Sequence, residues 1–140
     1  MNLYELSYAK IIVLQEDIAE VIINDSVIMN VAMVRQYHEL LRSILTSPFS
    51  LLINKINSYT YDFNAQTELA TIAEINAMAV VAYDRITELT TESLASYPRS
   101  KKWNLEIFMN RNDALAWFCL LYTSPSPRDI EVHLVCRLLL

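Results

Sequence analysis

Not one of the 140 residues is glycine. Glycine alone takes positive φ without steric cost and lets backbone approach a phosphate closely. Its absence therefore excludes the phosphate-cradling P-loop, the GxGxxG dinucleotide turn, the GxSxG nucleophile elbow and the EF-hand loop. Cysteine is nearly as scarce, since both thiols, Cys119 and Cys136, lie near the C-terminus. Residues 1–118 thus offer no disulfide, no Cys-based metal site and no thiol nucleophile. Long hydrophobic runs are missing as well. The chain is 54% hydrophobic with a mean hydropathy of +0.23, yet an unbroken apolar stretch such as Ala77 to Tyr83 falls far short of the roughly 20 residues that span a bilayer. The hydrophobicity is assigned to a buried core, with no transmembrane segment. Basic residues are outnumbered 16 to 11, a net charge of −5, which argues against a nucleic-acid surface, because phosphate binding needs clustered Lys and Arg. Met1-Asn2-Leu3-Tyr4-Glu5 lacks the basic and apolar regions of an export signal, so a cytoplasmic location is expected.

The C-terminal residues carry an unusual pattern. Residues 119–129, CLLYTSPSPRD, and 134–140, LVCRLLL, resemble the conceptual translation of a transposase-type sequencing-library adapter. Both stretches match codon by codon in one frame, and the gap between them, Ile130 to His133, is the size of a sample index. On this reading the domain is 1–118, C-terminally truncated, with Phe118 as the junction codon, and 119–140 is a non-native adapter-derived tail, set aside in reasoning about the fold. Removing it takes away Arg128 and Arg137 against Asp129 and Glu131, so the acidic balance is unchanged.

What is present reads as alternating strands and helices. Residues 3–23 are rich in β-branched residues and broken at Glu16-Asp17, which predicts an antiparallel hairpin turned by Asp17. Asn30 is placed to cap a helix to about Thr46, with Val34, Tyr37, Leu41, Ile44 and Leu45 on one face. Pro48 stops it. The buried run Phe49 to Ile53 predicts a central strand. Asn64 is read as the cap of a second helix reaching Ile75, and Ala77 to Tyr83 as the next strand. A third helix is expected over Arg85 to Ser96, apolar at Ile86, Leu89 and Leu94, followed by a strand at Leu105 to Phe108. A last helix, Ala114 to Trp117, is capped by Asn112 or Asp113. The order ββαβαβαβα predicts an α/β fold whose mixed sheet joins an N-terminal hairpin to strand-helix repeats.

The hairpin, the segment PFSLLINKINSYTY, the strand AMAVVAYD and the closing pattern IFMNRNDALAW together resemble small bacterial proteins of the STAS or SpoIIAA-like fold, including Bacteroidetes-type stand-alone domains with CRAL-TRIO-like relatives. The resemblance covers nearly all of residues 3–118. It implies a non-enzymatic regulatory domain that acts by contact with a protein partner or as a homodimer. It also implies a switch by phosphorylation where the helix after the central strand begins, which points to Ser58. The family motif there is Asp-Ser-Ser/Thr-Gly, whereas this chain reads Ile56-Asn57-Ser58-Tyr59-Thr60, without the acid or the glycine.

Open α/β sheets bind ligands beyond the carboxyl ends of their strands. Here those ends carry Lys55, Asn57, Ser58, Tyr59, Thr60 and Tyr61 after one strand, and Tyr83 and Arg85 after the other. These are the candidate ligand or partner residues, and the bland reading beside them is a glycine-free loop whose tyrosines pack on the sheet edge. Lys55 and Arg85 are placed either to hold an anion between them or to pair with Asp62 and Asp84. His38 stands alone on its helix without ligands at metal spacing, which reads as structural. No catalytic residue, metal site or cofactor is expected, since no nucleophile with an oriented base emerges. The basic cluster Arg99-Ser100-Lys101-Lys102 is read as a solvated approach to the last strand. The alternative to protein contact is a small-molecule or lipid-binding module with a pocket between sheet and helices.

Overall fold

The computed structural model describes residues 2–96 and 103–122. The basic cluster and residues 123–140 lie outside them. Within these bounds the chain forms an α/β fold with a six-stranded mixed sheet. Its strands are β1 (Asn2–Leu6), β2 (Ala9–Gln15), β3 (Ile18–Ile23), β5 (Phe49–Asn54), β7 (Ile75–Val81) and β8 (Leu105–Phe108), and they lie side by side in sequence order. A second, two-stranded parallel sheet joins β4 (Ile28–Met29) to β6 (Thr60–Tyr61). The helices are α1 (Val31–Ile44), α2 (Phe63–Glu68), α3 (Arg85–Ala95) and α4 (Arg111–Tyr122).

β1, β2 and β3 are antiparallel, whereas β3, β5, β7 and β8 are parallel. Side chains of a strand alternate between faces, and the two faces pack differently. Val21 of β3, Leu51 of β5 and Met78 of β7 share a core with Val34, Tyr37 and Leu41 of α1 and Ala65 of α2. On the opposite face Leu52, Ala79 and Val81 meet Ala114, Leu115 and Phe118 of α4. α1, α2 and α4 thus cover a sheet whose central strands are buried on both sides, which explains the continuous apolar runs of β5 and β7.

Several boundaries differ from those read in the sequence. The expected hairpin is a three-stranded meander, because the chain also turns at Ser7-Tyr8. Tyr8 is buried there, and its hydroxyl donates to the Met33 carbonyl at 2.8 Å, anchoring the turn on α1. α2 is capped by Asp62, not Asn64: the Asp62 carboxylate accepts the Ala65 N–H at 2.8 Å. The α4 N-terminus is held by Asn110, whose side chain accepts the Asp113 N–H at 2.9 Å. α4 also runs on past Trp117 to Tyr122, since Cys119-Leu120-Leu121-Tyr122 contains no helix breaker.

The largest departure concerns α3. Its apolar spacing predicts Ile86 and Leu89 in the core, yet Ile86 is 77% exposed and Leu89 47%, while Thr91 is 1% exposed. The buried threonine is tolerable because its hydroxyl donates to the Thr87 carbonyl at 2.8 Å, so no polar atom is stranded. Only Leu94 of the expected stripe packs against the core.

Candidate functional site

The 55–61 segment is more ordered than a loop reading implies. It is fastened along its length to the stretch between β3 and α1. Asn57 Nδ2 donates to the Ile23 carbonyl at 3.0 Å, and the Ser58 N–H donates to Asp25 Oδ1 at 2.9 Å. The Ser26 N–H returns to the Ser58 carbonyl at 2.7 Å, and the Thr60 N–H reaches Val27 at 3.0 Å. Ser26 takes a φ of 63° in this crossing, a left-handed conformation that glycine usually supplies.

This fastened segment forms one wall of a groove, and α3 forms the other. The groove comprises two open clefts of about 340 and 560 Å³ that share Lys55, Tyr59, Thr60 and Thr90. Ile86 borders one and Leu89 the other. The exposed apolar residues of α3 thus line the groove mouth.

Lys55 lies at the base. Its Nζ donates to Thr91 Oγ1 at 2.9 Å and sits 5.7 Å from the centroid of the Tyr59 ring. Burial alone pulls its pKa down to about 8, because low-dielectric surroundings disfavour the ammonium. The Tyr59 and Tyr61 rings meet edge to face at 5.6 Å. Burial raises Tyr59 well above the ordinary phenol range and Tyr61 to about 12. Interaction between the two hydroxyls adds to the Tyr59 rise and opposes that of Tyr61, and Tyr59 Oη is buried from solvent.

The structure therefore gathers Lys55, Asn57, Ser58, Tyr59 and Tyr61 around one groove and leaves Tyr83 and Arg85 outside it. Arg85 does not meet Lys55; it pairs with Glu88 one turn along α3. Asp62 and Asp84 pair with neither cation, because each caps a helix. Ser58 is exposed, but the Asp25 carboxylate on its own N–H opposes an added phosphate by like-charge repulsion.

A buried polar cluster on the other face of the sheet was not read from the sequence. Arg111, at the start of α4, reaches Glu20 of β3 through Nη2 to Oε1 at 2.8 Å and Nε to Oε1 at 3.1 Å. Asn54 Nδ2 donates to Glu20 Oε2 at 2.9 Å. Glu20 is 3% exposed. The one local signal was a charge inside the apolar run Ile18 to Ile23; its partner, far along the chain, carries no signal. The cluster ties α4 to the sheet and opens onto none of the clefts described above.

Among the described residues no group of three or more His, Cys, Asp and Glu is arranged to hold a metal, and no helix is long and apolar enough to cross a membrane. In comparisons with protein-family models, curated proteins and solved structures, nothing matches this chain.

Proposed function

We propose that this chain is a non-enzymatic, cytoplasmic regulatory domain of STAS-like type that works by protein contact through the groove between the 55–61 segment and α3. The observation that carries this reading is the orientation of α3. Burying Ile86 or Leu89 would remove apolar surface from water at roughly 25 cal/mol per Å², yet the fold buries Thr91 and leaves both in the groove wall. Exposed apolar side chains grouped beside a groove mark a surface that another molecule covers. The space between sheet and helices supports this reading over a small-molecule or lipid pocket. The apolar cavity there, lined by Val21, Tyr37, Met78 and Leu94, holds about 30 Å³, room for a water and far below the roughly 300 Å³ at which ligand pockets begin.

The test is paired affinity capture from the source cells with the wild-type chain and with Ile86→Asp/Leu89→Asp, followed by calorimetry between the captured protein and the purified chain. A stoichiometric complex that the double variant loses at unchanged melting temperature supports the reading. Equal binding by both chains places the contact elsewhere and defeats it.

A further inference from the structure

The base of the groove holds an ammonium that pairs with no carboxylate of the described residues. An ammonium has three N–H groups, and Lys55 uses one on Thr91 Oγ1. That hydroxyl already gives its own proton to Thr87, so it only accepts. Beyond it Lys55 has the Tyr59 ring face and, among the described residues, no carboxylate within ion-pair distance. The surrounding acids are engaged elsewhere: Asp62 caps α2, Asp84 caps α3, Glu88 holds Arg85 and Asp25 holds the Ser58 N–H. A largely buried ammonium without a counterion destabilises a fold.

The missing group must accept only, carry negative charge and reach the base of an open groove with apolar walls. Resting on the protein-contact reading above, we infer that the groove receives a carboxylate, the Asp or Glu side chain of a partner polypeptide, on Lys55 Nζ, with the partner's adjacent apolar side chains on Ile86 and Leu89. One ammonium balances one carboxylate. A dianionic phosphate would need a second cation, and Arg85, outside the groove, is paired with Glu88. A peptide segment suits the shape better than a free acid, because the clefts are open channels and small-ligand sites enclose most of their ligand.

Selection of a random dodecapeptide display library against the full chain tests this directly. Enriched peptides should share one Asp or Glu flanked by apolar residues. Replacing that acid by Asn or Gln in the synthetic peptide should weaken binding about tenfold or more, as expected for a charge-assisted hydrogen bond. Lys55→Met, which keeps the stem and removes the charge, should abolish that acid preference while the chain stays folded. Peptides that need Ile86 and Leu89 but show no acid preference would overturn the carboxylate while leaving the groove reading intact. Enriched peptides indifferent to Ile86→Asp/Leu89→Asp, or an absence of enrichment, would overturn the groove reading itself. In a parallel arm, hexanoate binding at Lys55 more tightly than the selected peptide would make the source a small acid and refute the polypeptide.

Discussion

His38 Nε2 accepts the backbone N–H of Ala70 at 3.1 Å, a side chain of α1 gripping the turn that ends α2. Ala70 has a φ of 55°, the left-handed conformation that follows many helices and is usually occupied by glycine. In a chain without glycine, this contact holds an alanine where its Cβ is disfavoured. Ala70→Gly should therefore stabilise the fold by about 1 kcal/mol, the cost of a left-handed non-glycine residue. A urea denaturation midpoint no higher than wild type would contradict this.

The same contact makes stability depend on acid. Burial, reinforced by Arg42, lowers the His38 pKa from 6.5 to about 4, although Glu68 and Glu74 oppose the shift. The unfolded chain thus binds the imidazole proton first as pH falls. The stabilisation is fully present above about pH 6.5 and is lost as pH falls toward 4, amounting to about 3 kcal/mol on this group. His38→Gln, which keeps an acceptor for Ala70, should flatten the dependence of unfolding free energy on pH between 4 and 6.5.

Lys55 behaves in the opposite sense to a residue kept for stability. Its lowered pKa of about 8 means that the folded chain is penalised for holding the proton. The cost is fully present below about pH 8 and is relieved as pH rises toward the unfolded value. Lys55→Met should raise stability at pH 7 by as much as about 3 kcal/mol. Calorimetric melting of the variant at pH 7 and pH 9.5 checks both parts, since the gain should shrink at the higher pH.

The Glu20–Arg111 pair predicts the reverse outcome. Arg111→Met would leave the Glu20 carboxylate, 4% exposed in its side chain, without its cation and should cost about 3–5 kcal/mol. Glu20→Gln in the Arg111→Met background should recover part of that loss. Chemical denaturation of the single and double variants measures the recovery, and none would mean that the pair does not hold α4 in place.

The resemblance of residues 119–140 to translated adapter sequence carries its own expectation. A chain ending at Tyr122, which keeps the whole of α4 and the buried Phe118, should melt at the same temperature as the full chain. A clear drop in melting temperature would show that the remaining residues support the fold.

The α/β class was legible because the β-branched run of β3, the apolar runs of β5 and β7 and the three-and-four spacing of α1 are local properties. The turn at Ser7-Tyr8 was not, because what anchors it is a tyrosine hydroxyl reaching Met33 on another element. Of the candidate site, the segment holding Lys55, Asn57, Ser58, Tyr59 and Tyr61 was visible as a density of donors at a strand end, whereas the orientation of α3 beside it was not. Periodicity says which residues of α3 share a face; it does not say which face meets the sheet.

By itself the sequence determined the alternation of strands and helices, the acidic balance and the chemistries that a chain without glycine cannot build. Only the tertiary structure decided that Thr91 goes in and Ile86 stays out, that Lys55 meets no carboxylate among the described residues, that Arg111 finds Glu20 and that His38 secures Ala70. The first set follows from backbone preferences and side-chain spacing within a few residues. The second depends on groups far apart in sequence, whose pairing is fixed only when the sheet and its helices have closed around them.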